Sequence, residues 1–380
     1  MRRRILFVSA AGIVGGAEES LLQLVRALDR SRCVPLAAVP GPGALSADLR
    51  TAGARVFHIP ALRLRRTKNP VGICRMGARW MEAGVAVARG ARRWGADIIH
   101  SNTSTAHFIG SVAGHLARLP ALWHVRDMQR TVLLERLAAH PTRGVIYVSE
   151  ATRDRVPLGH LRRADRHVVH NAINADVFAH RARRGTFRAE LGFGPRLPLV
   201  LMAAQMVPWK GHRTLIRAAA ELKEEIPNFR VAIAGGDLFE EHADYVAELR
   251  DLVRKLGLRD MVLFLGHRED VPTLMADSHV VVVPSHGEPF GRVAVEAMCV
   301  GKPVVGTDDG GLAEIIEEGR TGLLVPPGDP SALAAALGRV LRDPDLRSAM
   351  GKAGWERVRR CFSVQQHERR IRRIYESILA

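Results

Sequence analysis

The chain has 380 residues, of which 47% are apolar, 5% aromatic and 25% charged, and its net charge is +17. This length predicts about two domains that each bury a core, and the composition excludes a wholly disordered chain. The four cysteines are far apart with no C-x-x-C spacing, which excludes a disulfide framework and the usual zinc motifs and predicts a reducing compartment.

The positive charge is concentrated in the first half of the chain. Residues 1–180 carry 27 Lys and Arg against 12 Asp and Glu, whereas residues 181–380 carry 29 against 27. This imbalance predicts that the first half meets an anionic surface or substrate. Most of the basic residues are arginine, which a GC-rich genome also favours, so charge alone identifies no ligand.

The chain starts with arginines and an apolar run over residues 5–17, which fits two interpretations. One is a signal peptide. The other is a buried strand, a turn at Gly15 and Gly16, and a helix whose first turn holds Glu18 and Glu19 at its positive end. We favour the strand because strands and helices go on alternating along the chain. No run approaches the ~18 apolar residues of a membrane-spanning helix.

Short β-rich runs alternate with longer helical patterns along the whole chain. The unbroken apolar run at 280–283 is typical of a strand covered on both faces. The alternation predicts an α/β protein of two facing doubly wound domains, whose default active site is the cleft between them, at the carboxyl ends of the strands. The predicted strands are 4–8, 34–39, 55–59, 97–100, 121–125, 144–148, 167–170, 198–203, 230–234, 261–265, 279–283, 303–306 and 322–325.

The domain boundary is predicted in the Arg-rich stretch 176–196, which lacks a strand pattern. We therefore assign residues 1–176 to an N-terminal domain and residues 177–362 to a C-terminal domain. After Pro330 the pattern is helical only, over 331–341, 345–360 and 364–379. The last segment, 363–380, is predicted to cross back to the N-terminal domain.

The most specific motif is the stretch 284–298, which leaves a buried strand and enters a helix near Gly291. Seven residues separate Glu288 on the loop from Glu296 in the helix, so both carboxylates could accept hydrogen bonds from sugar hydroxyls in one cleft. The helix N-terminus suits a phosphate, and Gly291 lets the backbone approach a ligand closely. The alternative is one solvated loop glutamate and one on a helix surface.

This stretch resembles the E-x7-E signature of retaining glycosyltransferases with the GT-B fold, and more narrowly that of glycosyltransferase family 4. The resemblance covers almost the whole chain and implies two facing Rossmann-like domains with a cleft between them. Further stretches resemble the loops of that family in the same order, at 15–18, 100–103, 123–127, 148–150, 170–174, 209–212, 234–236, 265–267 and 310–316.

The resemblance also implies roles for individual residues. Glu296 would hold the ribose of a nucleotide, Glu288 the hydroxyls of the donor sugar, and Lys210 the departing diphosphate. His124, at a predicted strand end, would contact the donor sugar and completes a catalytic set with Lys210 and Glu288. The donor-binding set is Gly16, Gln205, Lys210, Gly236, Glu288, Pro289, Phe290, Gly291, Arg292 and Glu296, and the acceptor-side set is Gly15, Asn102, Arg126 and Asn171. The alternatives are a surface charge for Lys210 and a capped strand end for His124.

One position departs from the family pattern. The family has an arginine five residues before the lysine, where this chain has Gln205. Either the uncharged glutamine suffices for the diphosphate, or Arg292 or Arg126 supplies the charge.

No separate nucleophile is evident, which favours catalysis by positioning and by stabilising the leaving phosphate, with that phosphate assisting attack on the same face. The nucleotide sugar is a co-substrate, and no cofactor or metal is expected. Asp308 and Asp309 are interpreted as turn and cap residues.

A basic segment with a helical apolar stripe lies between residues 50 and 94, with eleven basic residues and one acid, Glu82. One interpretation is an anionic membrane surface bound through the arginines from Arg63 to Arg93. The other is an ordinary domain helix whose stripe packs on its sheet. Because many family members act on lipid-linked acceptors, the resemblance favours lipid contact and a cytoplasmic protein at the inner face of the membrane.

These observations predict a retaining hexosyltransferase that uses a nucleotide diphosphate sugar, with UDP favoured over GDP. The acceptor would be a glycan or lipid-linked molecule in polysaccharide, lipopolysaccharide or glycolipid synthesis. The alternatives are another nucleotide-sugar enzyme, such as an epimerase, and a non-catalytic nucleotide- or glycan-binding relative. Binding to nucleic acid fits poorly with so few aromatic residues, and a dehydrogenase would need the absent G-x-G-x-x-G order.

Overall fold

The computed structural model describes residues 2–60, 70–128, 140–159, 161–237 and 242–380, with side chains omitted for 70–74. The chain divides into two compact units. The first comprises Met1–Ala172 with Val364–Ala380, and the second comprises Ile173–Ser363. The chain therefore leaves the first unit slightly before residue 176, and the segment 173–198 belongs with the second.

The first unit contains a seven-stranded parallel sheet in the order β3-β2-β1-β4-β5-β6-β7. Its strands are β1 (Arg3–Val8), β2 (Cys33–Pro40), β3 (Arg55–Ile59), β4 (Ile98–Ser101), β5 (Ala121–Val125), β6 (Thr142–Tyr147) and β7 (Asp165–Val168). The helices of this unit in the described segments are α1 (Gly16–Ala27), α2 (Ala44–Thr51), α3 (Pro70–Trp94), α4 (Ser104–Ala117), α5 (Glu150–Arg155) and the C-terminal helix, Val364–Ile378.

Strand β1 lies in the middle of this sheet and is covered on both faces. Ile5 and Phe7 pack into the core that contains α1, α2 and the C-terminal helix. Leu6 and Val8 pack into the core that contains α3 and α4. The start of the chain is therefore a buried strand, which agrees with the favoured interpretation of the apolar run.

Helix α3 uses its apolar stripe for packing within the first unit. Ala83, Val87 and Ala91 are buried in the core beside the sheet. The Trp80 ring stacks on Phe108 with 5.5 Å between the ring centroids. The apolar stripe therefore packs inside the unit, as in an ordinary domain helix. Within α3, only the exposed arginines are available for contact with a membrane surface. Arg63 and its neighbours at 61–69 lie outside the described residues.

The second unit contains a six-stranded parallel sheet in the order β10-β9-β8-β11-β12-β13. Its strands are β8 (Leu199–Ala203), β9 (Arg230–Ala234), β10 (Val262–Gly266), β11 (Val280–Val283), β12 (Val304–Thr307) and β13 (Gly322–Val325). Its described helices are α6 (Ala175–His180), α7 (Thr186–Glu190), α8 (His212–Glu225), α9 (Ala243–Lys255), α10 (Val271–Asp277), α11 (Arg292–Cys299), α12 (Leu312–Ile315), α13 (Pro330–Arg342) and α14 (Pro344–Cys361). The C-terminal helix of the first unit is then α15.

All thirteen predicted strands are present, and their ends differ from the predicted ends by at most two residues. Both sheets are parallel, as strand–helix alternation requires. In each unit the strand order reverses at one place, between β1 and β4 in the first and between β8 and β11 in the second. Ligands of such sheets bind outside the carboxyl strand ends at this reversal. Each unit therefore has one expected ligand-binding position, at the carboxyl ends of the strands on either side of its reversal.

Candidate active site

In the second unit, the loops that follow β8 and β11 meet at the strand reversal. The first loop ends in a 3₁₀ turn, Pro208–Lys210, and the second leads into α11 at Gly291. The His286 amide donates to the Trp209 carbonyl over 2.7 Å, which joins the two loops. Gly211 has φ +81°, and a Cβ there would lie 1.8 Å from the Pro284 carbonyl oxygen. Only glycine permits this contact, and it fixes where Lys210 lies.

Two ion pairs occupy this meeting point. The Lys210 ammonium lies 2.7 Å from the Glu288 carboxylate, and the Arg292 guanidinium lies 2.7 Å from that of Glu296. Both glutamates are only 9% exposed. Burying a charge is costly unless it is paired, and each predicted carboxylate has a cation beside it. Lys210 also lies over the Trp209 ring, 4.0 Å from its centroid.

The loop after β12 supports the loop that carries Glu288. The Asp309 carboxylate accepts from the Gly287 amide over 2.7 Å, and the Gly311 amide donates to the Glu288 carbonyl over 2.8 Å. Gly310 has φ +67°, and a Cβ there would lie 2.2 Å from the same carbonyl oxygen. Asp309 thus binds a loop amide, as a cap residue does.

The remaining donor-side residues of this unit lie on neighbouring loops. Pro289, Phe290 and Gly291 connect Glu288 to the first turn of α11, and Phe290 is buried. The Met206 amide, next to Gln205, donates to the Gly236 carbonyl over 3.0 Å. The structure therefore brings the predicted donor-side residues of the second unit together at one end of its sheet.

The two arginines considered as substitutes for charge at Gln205 are both engaged. Arg292 is paired with Glu296. In the first unit, Arg126 donates to the side-chain oxygens of Asn102 and Asn171. The Gln205 amide, by contrast, has no side-chain partner within the described segments.

In the first unit, the predicted residues bond to one another at the strand reversal between β1 and β4. Arg126 follows β5 and donates over 3.1 Å to Asn102, which follows β4, and also to Asn171. Asn102 in turn donates to the Ala17 carbonyl in the first turn of α1, over 3.1 Å. The three acceptor-side side chains thus tie together the loops that carry them.

The glycine-rich loop of the first unit is held by a buried carboxylate. Glu18 accepts hydrogen bonds from the Gly15 amide and the Ser9 hydroxyl, each over 3.3 Å. Burial raises its pKa. A Cβ at Gly16 would meet no atom within 4 Å, so the backbone at the start of α1 is open to a ligand.

His124, at the end of β5, is fully buried in a cluster of aromatic side chains. Its Nδ1 lies 3.2 Å from the Arg126 guanidinium and 3.2 Å from Nε2 of His100. The rings of His124 and His367 stack with 6.4 Å between centroids. Burial first, and Arg126 second, hold the pKa of His124 and of His100 well below the usual value, so both rings are neutral.

The sequence reasoning missed three residues of this cluster as site residues: His100, His367 and Tyr375. His100 lies on β4, whereas His367 and Tyr375 lie on α15, at the other end of the chain. His367, Ile371 and Tyr375 are spaced by four residues and so share one face of the helix, which was the available signal. No sequence pattern says which strand that face packs against.

Two negative findings apply to the described part of the chain. No group of three or more His, Cys, Asp or Glu side chains there could hold a metal ion. No helix there is long and apolar enough to cross a membrane.

Comparison with known proteins shows which family the chain resembles. Residues 14–177 match the family model described as glycosyltransferase family 4, and residues 183–357 match the one described as glycosyl transferases group 1. An uncharacterised glycosyltransferase of Methanocaldococcus jannaschii is 32% identical over 271 residues, which are 66% of this chain and 67% of that protein. The chain belongs to the group 1, family 4 glycosyltransferases.

Two further similar proteins have a substrate or ligand in their names. A D-inositol 3-phosphate glycosyltransferase of Streptomyces avermitilis is 32% identical over 304 residues, 74% of this chain. This chain spans 64% of that relative's length. The crystal structure of Anabaena HepE in complex with UDP and glucose has a TM-score of 0.82 and 27% identity, and covers 99% of this chain and 100% of its own. These matches identify the two parallel α/β units as the GT-B fold.

Proposed function

We propose that this glycosyltransferase is a retaining hexosyltransferase whose donor is a UDP-sugar. The observation that carries the proposal is a set of two ion pairs with buried glutamates at the strand reversal of the second unit. Lys210 pairs with Glu288, and Arg292 pairs with Glu296. The complexes of HepE with UDP and glucose, and with UDP-glucose, support UDP over GDP. The inositol-phosphate relatives differ in length from this chain and leave the acceptor open.

In this proposal the second unit binds the nucleotide sugar. The Glu296 carboxylate accepts from the ribose hydroxyls and the Glu288 carboxylate from the sugar hydroxyls. The amides at the start of α11 donate to the diphosphate, because a helix N-terminus carries free N–H groups and partial positive charge. Gln205 donates its amide hydrogens to the same group without adding charge.

The reaction breaks the bond between the anomeric carbon and the diphosphate oxygen and forms a bond from that carbon to an acceptor hydroxyl oxygen. The acceptor proton passes to the departing phosphate oxygen, on the face where attack occurs. Lys210 stabilises the negative charge that develops on this leaving group, which is the largest electrostatic demand of the step. Positioning of the two substrates supplies the rest of the acceleration.

The first unit is proposed to bind a glycan or lipid-linked acceptor of cell-envelope synthesis. Its support is the positive charge of residues 1–180 and the five arginines exposed on α3: Arg75, Arg79, Arg89, Arg92 and Arg93. Arginines at an anionic surface contribute roughly 1 kcal/mol each. Contact with the inner face of the membrane is part of this proposal.

The donor assignment is tested by thermal denaturation with UDP, GDP, UDP-glucose and other nucleotide sugars, because a ligand that binds only the folded state raises the midpoint. Glu296→Ala is compared with Glu356→Ala, which replaces an exposed glutamate of α14. We expect UDP to raise the midpoint of the wild type and of Glu356→Ala, and Glu296→Ala to lose most of that rise. No rise with any nucleotide at millimolar concentration would contradict the donor assignment.

Product analysis separates transfer from the two alternatives. Incubation with UDP-glucose and candidate acceptors is expected to release UDP and to form an α-linked product, which is the retained configuration. A change of sugar configuration on intact UDP-sugar would identify an epimerase. Binding without turnover under every acceptor condition would favour a non-catalytic nucleotide-binding protein.

A further inference from the structure

Four side chains form a hydrogen-bond chain across the first unit, from the C-terminal helix to the end of β5. The Tyr375 hydroxyl lies 2.5 Å from Nδ1 of His100, and Nε2 of His100 lies 3.2 Å from Nδ1 of His124. The Arg126 guanidinium lies 3.2 Å from that same Nδ1. Both histidines are fully buried and Tyr375 is almost so.

The chemistry of arginine fixes the direction of this chain. A guanidinium only donates hydrogen bonds, so Nδ1 of His124 must accept and carries no proton. The proton of the neutral His124 ring therefore lies on Nε2. His100 then has to donate from its Nε2 to the same acceptor, which leaves its own Nδ1 as an acceptor for the Tyr375 hydroxyl.

The far end of the chain points to a ligand. Nε2 of His124 is buried and has no hydrogen-bond partner among the described residues. A buried donor without an acceptor costs about 1 to 3 kcal/mol, and an oxygen of a bound ligand would remove that cost at Nε2 of His124. The atom that is unsatisfied is the one that the chain forces to be a donor.

We propose that Arg126, His100 and Tyr375 are positioning residues that hold His124 as the neutral Nε2–H tautomer, so that His124 can only donate a hydrogen bond to a bound ligand. The ligand group that fits is a hydroxyl oxygen of a bound sugar. This inference rests on the proposed function and deepens it. It also excludes His124 as the base that removes the acceptor proton, because Nε2 already carries a proton and Nδ1 is occupied.

The tautomer is measured directly by NMR. Two-bond ¹H–¹⁵N correlation spectra of protein labelled at histidine separate the two neutral tautomers and the imidazolium, and His124→Gln assigns the signals. We expect His124 to be the neutral Nε2–H form at pH 7, with and without UDP. An Nδ1–H tautomer or an imidazolium at pH 7 would overturn the proposal.

Kinetics then test the positioning role. Tyr375→Phe removes one hydroxyl and keeps the ring, and loss of one hydrogen bond predicts a fall in kcat of roughly three- to tenfold with little change in KM for the donor. Tyr245→Phe is the matched control, because the buried Tyr245 hydroxyl in the second unit has no partner among the described residues. We expect that control to keep the wild-type kcat, and an unchanged kcat in Tyr375→Phe would reject the role of Tyr375.

Substitutions of His100 add a test by rescue. His100→Gln keeps an N–H donor near the position of Nε2, whereas His100→Leu removes it. We expect His100→Gln to retain more kcat than His100→Leu at equal thermal midpoints, and equal losses in both would count against the chain. The UDP-induced thermal shift separates failure of the proposed function from failure of the proposed His124 tautomer. If UDP binding and transfer are absent in the wild type, the proposed function is wrong, and the NMR result still decides the tautomer.

Discussion

Lys210 illustrates how much a single residue depends on its backbone. Its position is set by Gly211, whose left-handed conformation and contact with Pro284 admit no side chain. The ammonium then lies between a carboxylate and an aromatic ring, with Glu288 at 2.7 Å and the Trp209 centroid at 4.0 Å. A compact point charge held in this way suits a leaving phosphate, which needs a cation at a fixed place when its charge develops.

Replacement of Lys210 by methionine is expected to lower kcat for sugar transfer by roughly 10²- to 10³-fold, because the charge that stabilises the leaving group is lost. Initial rates at saturating donor measure this effect. Lys352→Met, at an exposed position of α14, is the matched control and is expected to keep the wild-type rate. A Lys210→Met enzyme within twofold of the wild type would show that the leaving-group charge is stabilised elsewhere.

Helix α3 packs into the first unit with one side and carries exposed charge on the other. Its apolar side is buried in the first unit, so the tryptophan at its centre is part of the core. Its other side carries exposed arginines and the half-exposed Met81. Lipid contact by this helix therefore has to be electrostatic, and electrostatic contact is weakened by salt.

Replacement of Arg79, Arg89 and Arg93 together by serine is expected to weaken binding to vesicles of anionic lipid by roughly 10²-fold at low salt, at about 1 kcal/mol for each arginine. Co-sedimentation with vesicles at two salt concentrations measures this. The control replaces three exposed arginines of the second unit: Arg217, Arg259 and Arg339. If both triple variants lose vesicle binding equally, the binding depends on the net charge of the protein and not on the arginines of α3.

The contacts of helix α15 depend on more than its own sequence. Its residues 371, 374 and 375 are apolar or aromatic and share one face of the helix. The last segment was expected to lie with the N-terminal domain, and the structure assigns the helix to the first unit. Which residues of that unit it contacts depends on the tertiary structure. There Ile371 and Tyr375 join the core of Ile5 and Phe7, more than three hundred residues away in sequence.

For the whole molecule, buried histidines predict how stability depends on pH. Burial lowers the pKa of His107 to about 3, and that of His212, His279 and His367 to about 4. Each is neutral in the folded protein and takes up a proton on unfolding below its unfolded pKa of about 6.5. Their contribution to the unfolding free energy is complete above pH 6.5 and falls as pH decreases toward 4, by roughly 1 kcal/mol per group and pH unit.

Calorimetric midpoints between pH 7.5 and pH 4.5 test this dependence. We expect the midpoint to fall steadily below about pH 6.5. His107→Gln keeps a donor near Thr142, the partner of His107 at 2.9 Å, and removes one titrating group. This variant should show a shallower fall than the wild type, and an identical pH dependence would contradict the assignment of a low pKa to His107.

Much of the fold was predictable because it depends on local pattern. Unbroken runs such as 280–283 indicate strands buried on both faces, and their regular spacing with helices requires parallel sheets. The site motifs follow strands directly, so their place at the carboxyl strand ends was also predictable. The i, i+4 pair of Arg292 and Glu296 lies within one helix and needs no tertiary information.

The sequence by itself determined the order of strands and helices, the two-domain class and the residues that stand at the strand ends. The tertiary structure decided which of those residues meet. The pairing of Lys210 with Glu288 and of His100 with Tyr375 joins segments 78 and 275 residues apart. The periodicity of a sequence predicts only whether a side chain is buried. Its hydrogen-bond partner, and the ring nitrogen that carries the proton of a histidine, depend on strand order and on the geometry of distant loops.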